Sequence, residues 1–108
     1  MERGSKVAHH EVEIRVEKEG VRPGALEVLR VGDTVRYSSP NGKARVLFQG
    51  PTPYEVSEVR DGEVKTLMTS GRFPFACFVK PTGSDQEVGW SPSNPNAGGE
   101  HDVIPTTS

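Results

Sequence analysis

One cysteine and three histidines are the residues of this chain best suited to metal or redox chemistry. They are Cys77, His9, His10 and His101. Thiolate and imidazole bind copper and zinc in proteins, so the three histidines would form a metal site if the first and last strands were neighbours. The alternative is a buried apolar thiol, since free cysteine is among the most buried residue types, together with solvated histidines.

The sequence does not contain a recognisable hydrolytic motif. Serine, histidine and aspartate occur, among them Ser70, Asp33 and Asp102, but Gly-x-Ser-x-Gly, His-Glu-x-x-His and a glycine-rich phosphate loop are absent from the sequence. A nucleophilic Cys77 would need a nearby base or cation to lower its pKa. Lys80, three residues on, falls on the opposite face of a strand. We therefore expect no enzyme.

Charge and hydropathy exclude two classes of partner. The 13 basic and 15 acidic residues give a net charge of −2 and are interleaved along the chain, so there is no basic stripe for a nucleic acid and no polybasic patch for a membrane surface. No apolar run approaches the roughly 20 residues of a membrane span, and the first residues lack the apolar segment of a signal peptide. A soluble protein is expected, and its lone thiol is compatible with the cytoplasm.

Cys77 lies in the stretch with the clearest strand pattern, Gly71–Gly83. Its odd positions, Phe73, Phe75, Cys77 and Val79, are apolar and would share one face of a strand. A Pro-Thr-Gly turn ends the pattern. This stretch is predicted to be a central core strand.

Short apolar runs separated by glycine and proline indicate further strands. The chain has 12 glycines and nine prolines, and the runs lie at 10–17, 25–31, 34–37, 44–48, on both sides of Asp61-Gly62, and at 101–105. The parity of the apolar residues changes within 25–31, which predicts a bulge or a passage from one sheet to another. A short helix over 53–59 is the competing interpretation. Seven or eight strands with turns at about ten-residue spacing predict an all-β, Greek-key antiparallel β-sandwich.

The predicted organisation is one domain with short ends. Residues 1–9 are expected to be a disordered lead-in, 10–105 the sandwich domain, and 106–108 a tail. Within the domain, 84–99 is predicted to be a long polar loop.

Two segments resemble the cupredoxins, the plastocyanin and azurin class of β-sandwich. Residues 27–37 read Glu-Val-Leu-Arg-Val-Gly-Asp-Thr-Val-Arg-Tyr, which resembles an early strand pair whose Gly-Asp-Thr-Val turn precedes an aromatic. Residues 71–77 read Gly-Arg-Phe-Pro-Phe-Ala-Cys, which is similar to the penultimate strand that leads to a copper-binding cysteine. Residues 44–48 fall where the family has a strand that opens with histidine. The likeness covers about 12–83 and the last strand.

The ligand positions implied by this resemblance have changed. A blue-copper site needs two imidazoles and a thiolate, usually with a weak axial sulfur. Cys77 takes the cysteine position, but the two histidine positions fall at Ala44 and Lys80, and the axial methionine position falls in 82–88, which has no methionine. The resemblance implies the fold and counts against electron transfer.

Loops at the former copper end are the predicted contact surface. The residues proposed for binding are Asn41, Lys43, Lys80 and Trp90, with Trp90 either an exposed anchor or a lid over the open end of the sandwich. The predicted function is a cupredoxin-like interaction or structural module without a cofactor, whose partner is another protein or domain. The alternative is an atypical copper-binding or electron-transfer protein that uses Cys77 with non-standard histidine ligands.

Overall fold

The structure, a computed structural model, describes residues 8–17, 20–23, 28–40, 42–89 and 97–105. In these ranges all regular structure is β, which confirms the predicted class. The strands are β1 (His9–Glu17), β2 (Gly20–Pro23), β3 (Leu29–Arg30), β4 (Thr34–Ser38), β5 (Gly42–Leu47), β6 (Glu58–Arg60), β7 (Val64–Thr66), β8 (Gly71–Pro81), β9 (Val88–Gly89) and β10 (Gly98–Ile104).

The strands form two sheets. The first sheet has the order β2-β1-β4-β7, and the second has the order β3-β10-β8-β5-β6, with β9 added beside β8. Two pairs, β1 with β4 and β10 with β3, are parallel, and the others are antiparallel. The predicted purely antiparallel character is therefore wrong for these two pairs. Long connections that change sheet make such parallel neighbours possible.

The core lies between the two sheets and is centred on β8. Phe73, Phe75, Cys77 and Val79 are buried, whereas Arg72, Pro74 and Lys80 on the same strand are exposed. The predicted inward face of this strand is confirmed, although Ala76, which has the opposite parity, is also buried and Phe78 is half-buried. The first sheet contributes inward residues that include Val12 and Ile14 of β1 and Val35 of β4. Burial of this apolar surface is the main stabilising contribution to such a fold.

Several predicted boundaries need correction. The Gly20–Pro23 segment contains a glycine and a proline, which are typical of a turn, but it is an edge strand paired with β1. Proline is compatible with an edge strand, where one side of the backbone needs no partner. The predicted strand over 25–31 is reduced to Leu29–Arg30 in the described part of the chain. The chain passes from the first sheet at β2 to the second at β3, a passage that the parity change had indicated. The helix considered for 53–59 is wrong, because bends there lead into β6.

The ends of the predicted domain shift slightly. β1 begins at His9, and β10 begins at Gly98, inside the stretch predicted to be a loop; β9 also lies in that stretch. Apart from Ala8 and His9, the predicted lead-in lies outside the described residues, as does the predicted tail. Within the described ranges, no helix is long and apolar enough to cross a membrane.

Candidate functional site

Cys77 lies in the core on β8. Its backbone pairs in register with Val46 of β5, and its amide donates to the carbonyl of Ala97 at 2.8 Å. The side chain is fully buried, and this burial raises the pKa of the thiol to about 12. A thiol that stays protonated near neutral pH is a poor nucleophile and a poor metal ligand. The position therefore fits a packing role.

The three histidines do not converge. His9 and His10 are successive residues of β1 and point to opposite faces: exposed His9 contacts Thr34 and Glu11, whereas His10 Nε2 lies 2.8 Å from Asp33 Oδ2. His10 of the first sheet lies close enough to His101 of the second for its charge to contribute to the lowered pKa of His101, but His9 is on the exposed face and does not join them. Across the described ranges, no group of three or more His, Cys, Asp or Glu side chains is placed to hold a metal ion.

The copper positions implied by the resemblance do not supply a donor set. Ala44 is buried on β5 opposite Val79 and carries only a methyl group. Lys80 is exposed, and because it is three residues from Cys77 on the same strand, its side chain leaves the opposite face of the sheet. These residues do not fit a trigonal site of two imidazoles and a thiolate.

Asp33 was named in the sequence as part of a Gly-Asp turn and as one of the residue types that hydrolysis would need. In the structure it organises the start of the fold. Its buried carboxylate accepts hydrogen bonds from the amides of Ala8 at 3.0 Å and Arg30 at 3.1 Å, and it contacts His10. Burial raises the pKa of Asp33, but these hydrogen bonds together outweigh it, and the net pKa is lowered. Gly32, with φ of 99°, makes the tight turn before it. The carboxylate therefore fixes β1 against the β3–β4 turn.

A buried polar chain crosses the core near Cys77. The Tyr37 hydroxyl lies 2.6 Å from the Tyr54 hydroxyl and 2.8 Å from His101 Nε2. The His101 ring is fully buried and lies 4.5 Å from the Phe75 ring centroid. Burial, with a smaller contribution from the charge of His10, lowers the pKa of His101 to about 4. The imidazole is therefore neutral at physiological pH.

The proton of neutral His101 can be assigned from its surroundings. Nδ1 has no hydrogen-bond partner among the described residues. Leaving a buried N–H without an acceptor costs more free energy than leaving a buried lone pair without a donor. We therefore assign the proton to Nε2, which donates a hydrogen bond to the Tyr37 hydroxyl. Tyr37 in turn donates to Tyr54. Sequence reasoning missed this chain, although Tyr37 shares its strand parity with Val35, and His101 shares its parity with Val103. This shared parity was the sequence signal that both side chains point into the core.

An open depression lies on the outward face of the second sheet. We call it the lysine groove; it has a volume of about 630 Å³. Two predicted binding residues, Lys43 and Lys80, lie in it directly opposite each other on β5 and β8. They belong to strands, not to the loops that were predicted to carry them. Asn41 and Trp90 lie outside the described residues. The groove is lined by Lys43, Ala44, Arg45, Glu58, Arg60, Asp61, Lys80 and Glu87.

An ion-pair network fixes the side chains along the groove. Arg45 donates to both carboxylate oxygens of Glu87, at 3.0 and 2.7 Å, and its guanidinium lies 4.2 Å from the centroid of the Phe78 ring. The hydrogen bond to Glu87 raises the pKa of Arg45, and the same bond lowers the pKa of Glu87. Bidentate pairing of this kind adds geometric specificity. Glu58 links Arg45, at 3.9 Å, to Arg60, at 3.0 Å.

The positive charges of the two lysines in the groove are less neutralised by nearby carboxylates than those of its two arginines. Asp61 uses Oδ1 to accept the amides of Ser39 and Ala44, each at 3.1 Å, and Glu87 is held by Arg45. Within the described ranges, Lys43 and Lys80 form no ion pair with a carboxylate. The charge of Lys80 acts on Glu87 only at longer range, where it contributes less than Arg45 does to the lowered pKa of Glu87. Two ammonium groups are thus available to an anionic group from outside.

Comparison with known proteins identifies no relative of this chain. No protein-family model matches it, and neither the search of curated proteins nor the search of solved structures gives a match. Across its described residues the chain is an all-β protein of two sheets with a charged groove on one outer face.

Proposed function

We propose that this chain is a copper-free, cupredoxin-like sandwich of Greek-key connectivity that acts as a protein-interaction module through the lysine groove. The segments that resemble cupredoxins fall on β3–β4 and on β8. Sheet neighbours are often distant in sequence, with β1 beside β4 and β8 beside both β5 and β10. Such crossings between sheets are expected of Greek-key connections and support the assignment.

The observation that carries the interaction function is the groove itself. Most of its lining residues come from β5, β6 and β8, so these side chains stand on hydrogen-bonded strands that position them with little freedom. Sites on strands are held more accurately than sites on loops. Arg45 and Glu87 fix each other at one wall, while Lys43 and Lys80 remain able to contact a partner. A metal or nucleophile role for Cys77 lacks comparable support, because its thiol is buried and protonated.

Site-specific photo-crosslinking tests this proposal. A benzophenone amino acid is placed at position 60, where Arg60 lines the groove, and separately at position 72, where exposed Arg72 lies near the other end of β8. Both sites replace an exposed arginine, and position 72 is outside the lining of the groove. After irradiation in cells that express the protein, we expect a discrete adduct from position 60 and none of that size from position 72. Equal adducts from both positions, or none from position 60, would overturn the proposal.

A further inference from the structure

Two lysines are placed where their charges repel each other. Lys43 of β5 and Lys80 of β8 are direct cross-strand partners, so their Cα atoms are separated by roughly 5 Å. Like charges in directly opposed positions of a sheet are destabilising. Both side chains are exposed, and no carboxylate within the described ranges pairs with them. The repulsion would be relieved by an anion that binds between the two ammonium groups.

The neighbouring pair of opposed cationic residues in the same groove is neutralised by carboxylates of the chain. Arg45 and Arg60 are also directly opposed, on β5 and β6. Glu58 contacts both of them, and Glu87 holds Arg45. The chain thus neutralises one opposed cationic pair with its own carboxylates and leaves the other pair to an external one.

We infer that the partner presents an acidic peptide segment whose carboxylates bind Lys43 and Lys80. This inference rests on the proposed function of the groove and adds the chemistry of the partner. In an extended peptide, side chains two residues apart lie on one face at a distance of about 7 Å. Two flexible lysine side chains on adjacent strands can reach carboxylates at that spacing. The motif expected of the partner is therefore an acidic residue, any residue, and a second acidic residue.

The acidic residues of the groove favour a peptide over a nucleic acid. Glu58, Asp61 and Glu87 line the same depression as the lysines, and the whole chain carries a net charge of −2. A phosphate backbone carries a charge at every nucleotide, so part of it would lie against these carboxylates. A peptide can place two carboxylates at the lysine end and neutral or basic residues beside Glu58.

The test uses a fluorescein-labelled peptide that contains Glu-Ser-Glu and a second peptide with Gln-Ser-Gln in its place. Binding to the full chain is followed by fluorescence anisotropy at low ionic strength. The double variant Lys43→Gln/Lys80→Gln keeps most of the side-chain length and removes both charges, and Lys65→Gln on the first sheet is the matched control. We expect the double variant to bind the Glu peptide on the order of tenfold more weakly and Lys65→Gln to bind it like the parent chain.

The expected pattern includes weak binding of the Gln peptide and loss of Glu-peptide binding as salt is added. Equal binding of the Glu peptide by the parent chain and the folded double variant would overturn the inference. Tighter binding of a labelled single-stranded oligonucleotide than of the Glu peptide would also overturn it. If these assays fail while crosslinking from position 60 succeeds, only the acidic partner is wrong, and the groove remains the interaction surface.

Discussion

Replacing Gly42 with alanine is expected to cause a large loss of stability, because the strand pair that carries the groove has no room for a side chain there. A Cβ atom at this position would lie 2.0 Å from the carbonyl oxygen of Lys80 and 2.8 Å from the Cα of Pro81. Both contacts are with backbone, which cannot rotate away. Glycine in a strand often marks a place where another backbone approaches closely. We expect Gly42→Ala to lower the free energy of unfolding by about 3 kcal/mol.

The measurement is thermal unfolding followed by circular dichroism, with Gly50→Ala as the matched control. A Cβ at Gly50 would meet nothing within 4 Å, so this variant should melt close to the parent temperature. For Gly42→Ala the midpoint should fall by more than about 10 °C. Since Gly42 directly precedes Lys43, groove binding should weaken as well. Equal melting temperatures for Gly42→Ala and Gly50→Ala would show that β5 and β8 do not approach each other this closely.

The second large effect is a loss of stability in mild acid that arises from His101. The pKa of this buried imidazole is about 4 in the folded chain, against 6.5 as the ordinary value. Between these two values the unfolded chain binds a proton that the folded chain does not, so acid favours unfolding. Stability is full above pH 6.5 and falls as the pH decreases towards 4. The difference in pKa corresponds to about 3 kcal/mol.

Urea unfolding at a series of pH values checks this expectation. His101→Gln keeps a side chain that can donate to Tyr37 but does not titrate, and its stability should vary much less between pH 6.5 and 4 than that of the parent. His9→Gln removes an exposed histidine and should retain the parental slope. The lowered pKa values of Glu11 and Glu87 add a loss only below their ordinary value of 4.5, and that of Asp33 only below 3.8, so the contribution of His101 is read between pH 6.5 and 4.5. An unchanged slope in His101→Gln would disprove the assignment.

The sequence predicted those strands in which apolar residues recur clearly at every second position. In β8 the recurrence of apolar side chains at Phe73, Phe75, Cys77 and Val79 was sufficient to place the strand and its inward face. β2 lacked such a period, and its glycine and proline resembled a turn. Its pairing with β1 comes from backbone hydrogen bonds, which local side-chain patterns do not encode.

The candidate site was predictable in part. Lys43 and Lys80 were named as contacts by analogy with loops at the end of a sandwich, and the register of β5 and β8 brings them together on strands. The ion pair of Arg45 with Glu87 joins residues 42 positions apart, and the hydrogen bond between Tyr37 and His101 joins residues 64 positions apart. Such pairs depend on how the two sheets are connected, and a single sequence does not specify that connection locally.

The most direct test of the copper-free function is a copper(II) titration of the pure protein followed by visible absorption. It distinguishes a metal centre at Cys77 from a scaffold that binds its partner through the lysine groove. A copper ion bonded to the Cys77 thiolate would give an intense charge-transfer band. The buried, protonated thiol and the side chains of Ala44 and Lys80 predict no such band. An intense band that saturates at one copper per chain and disappears in Cys77→Ala would contradict the proposed copper-free function.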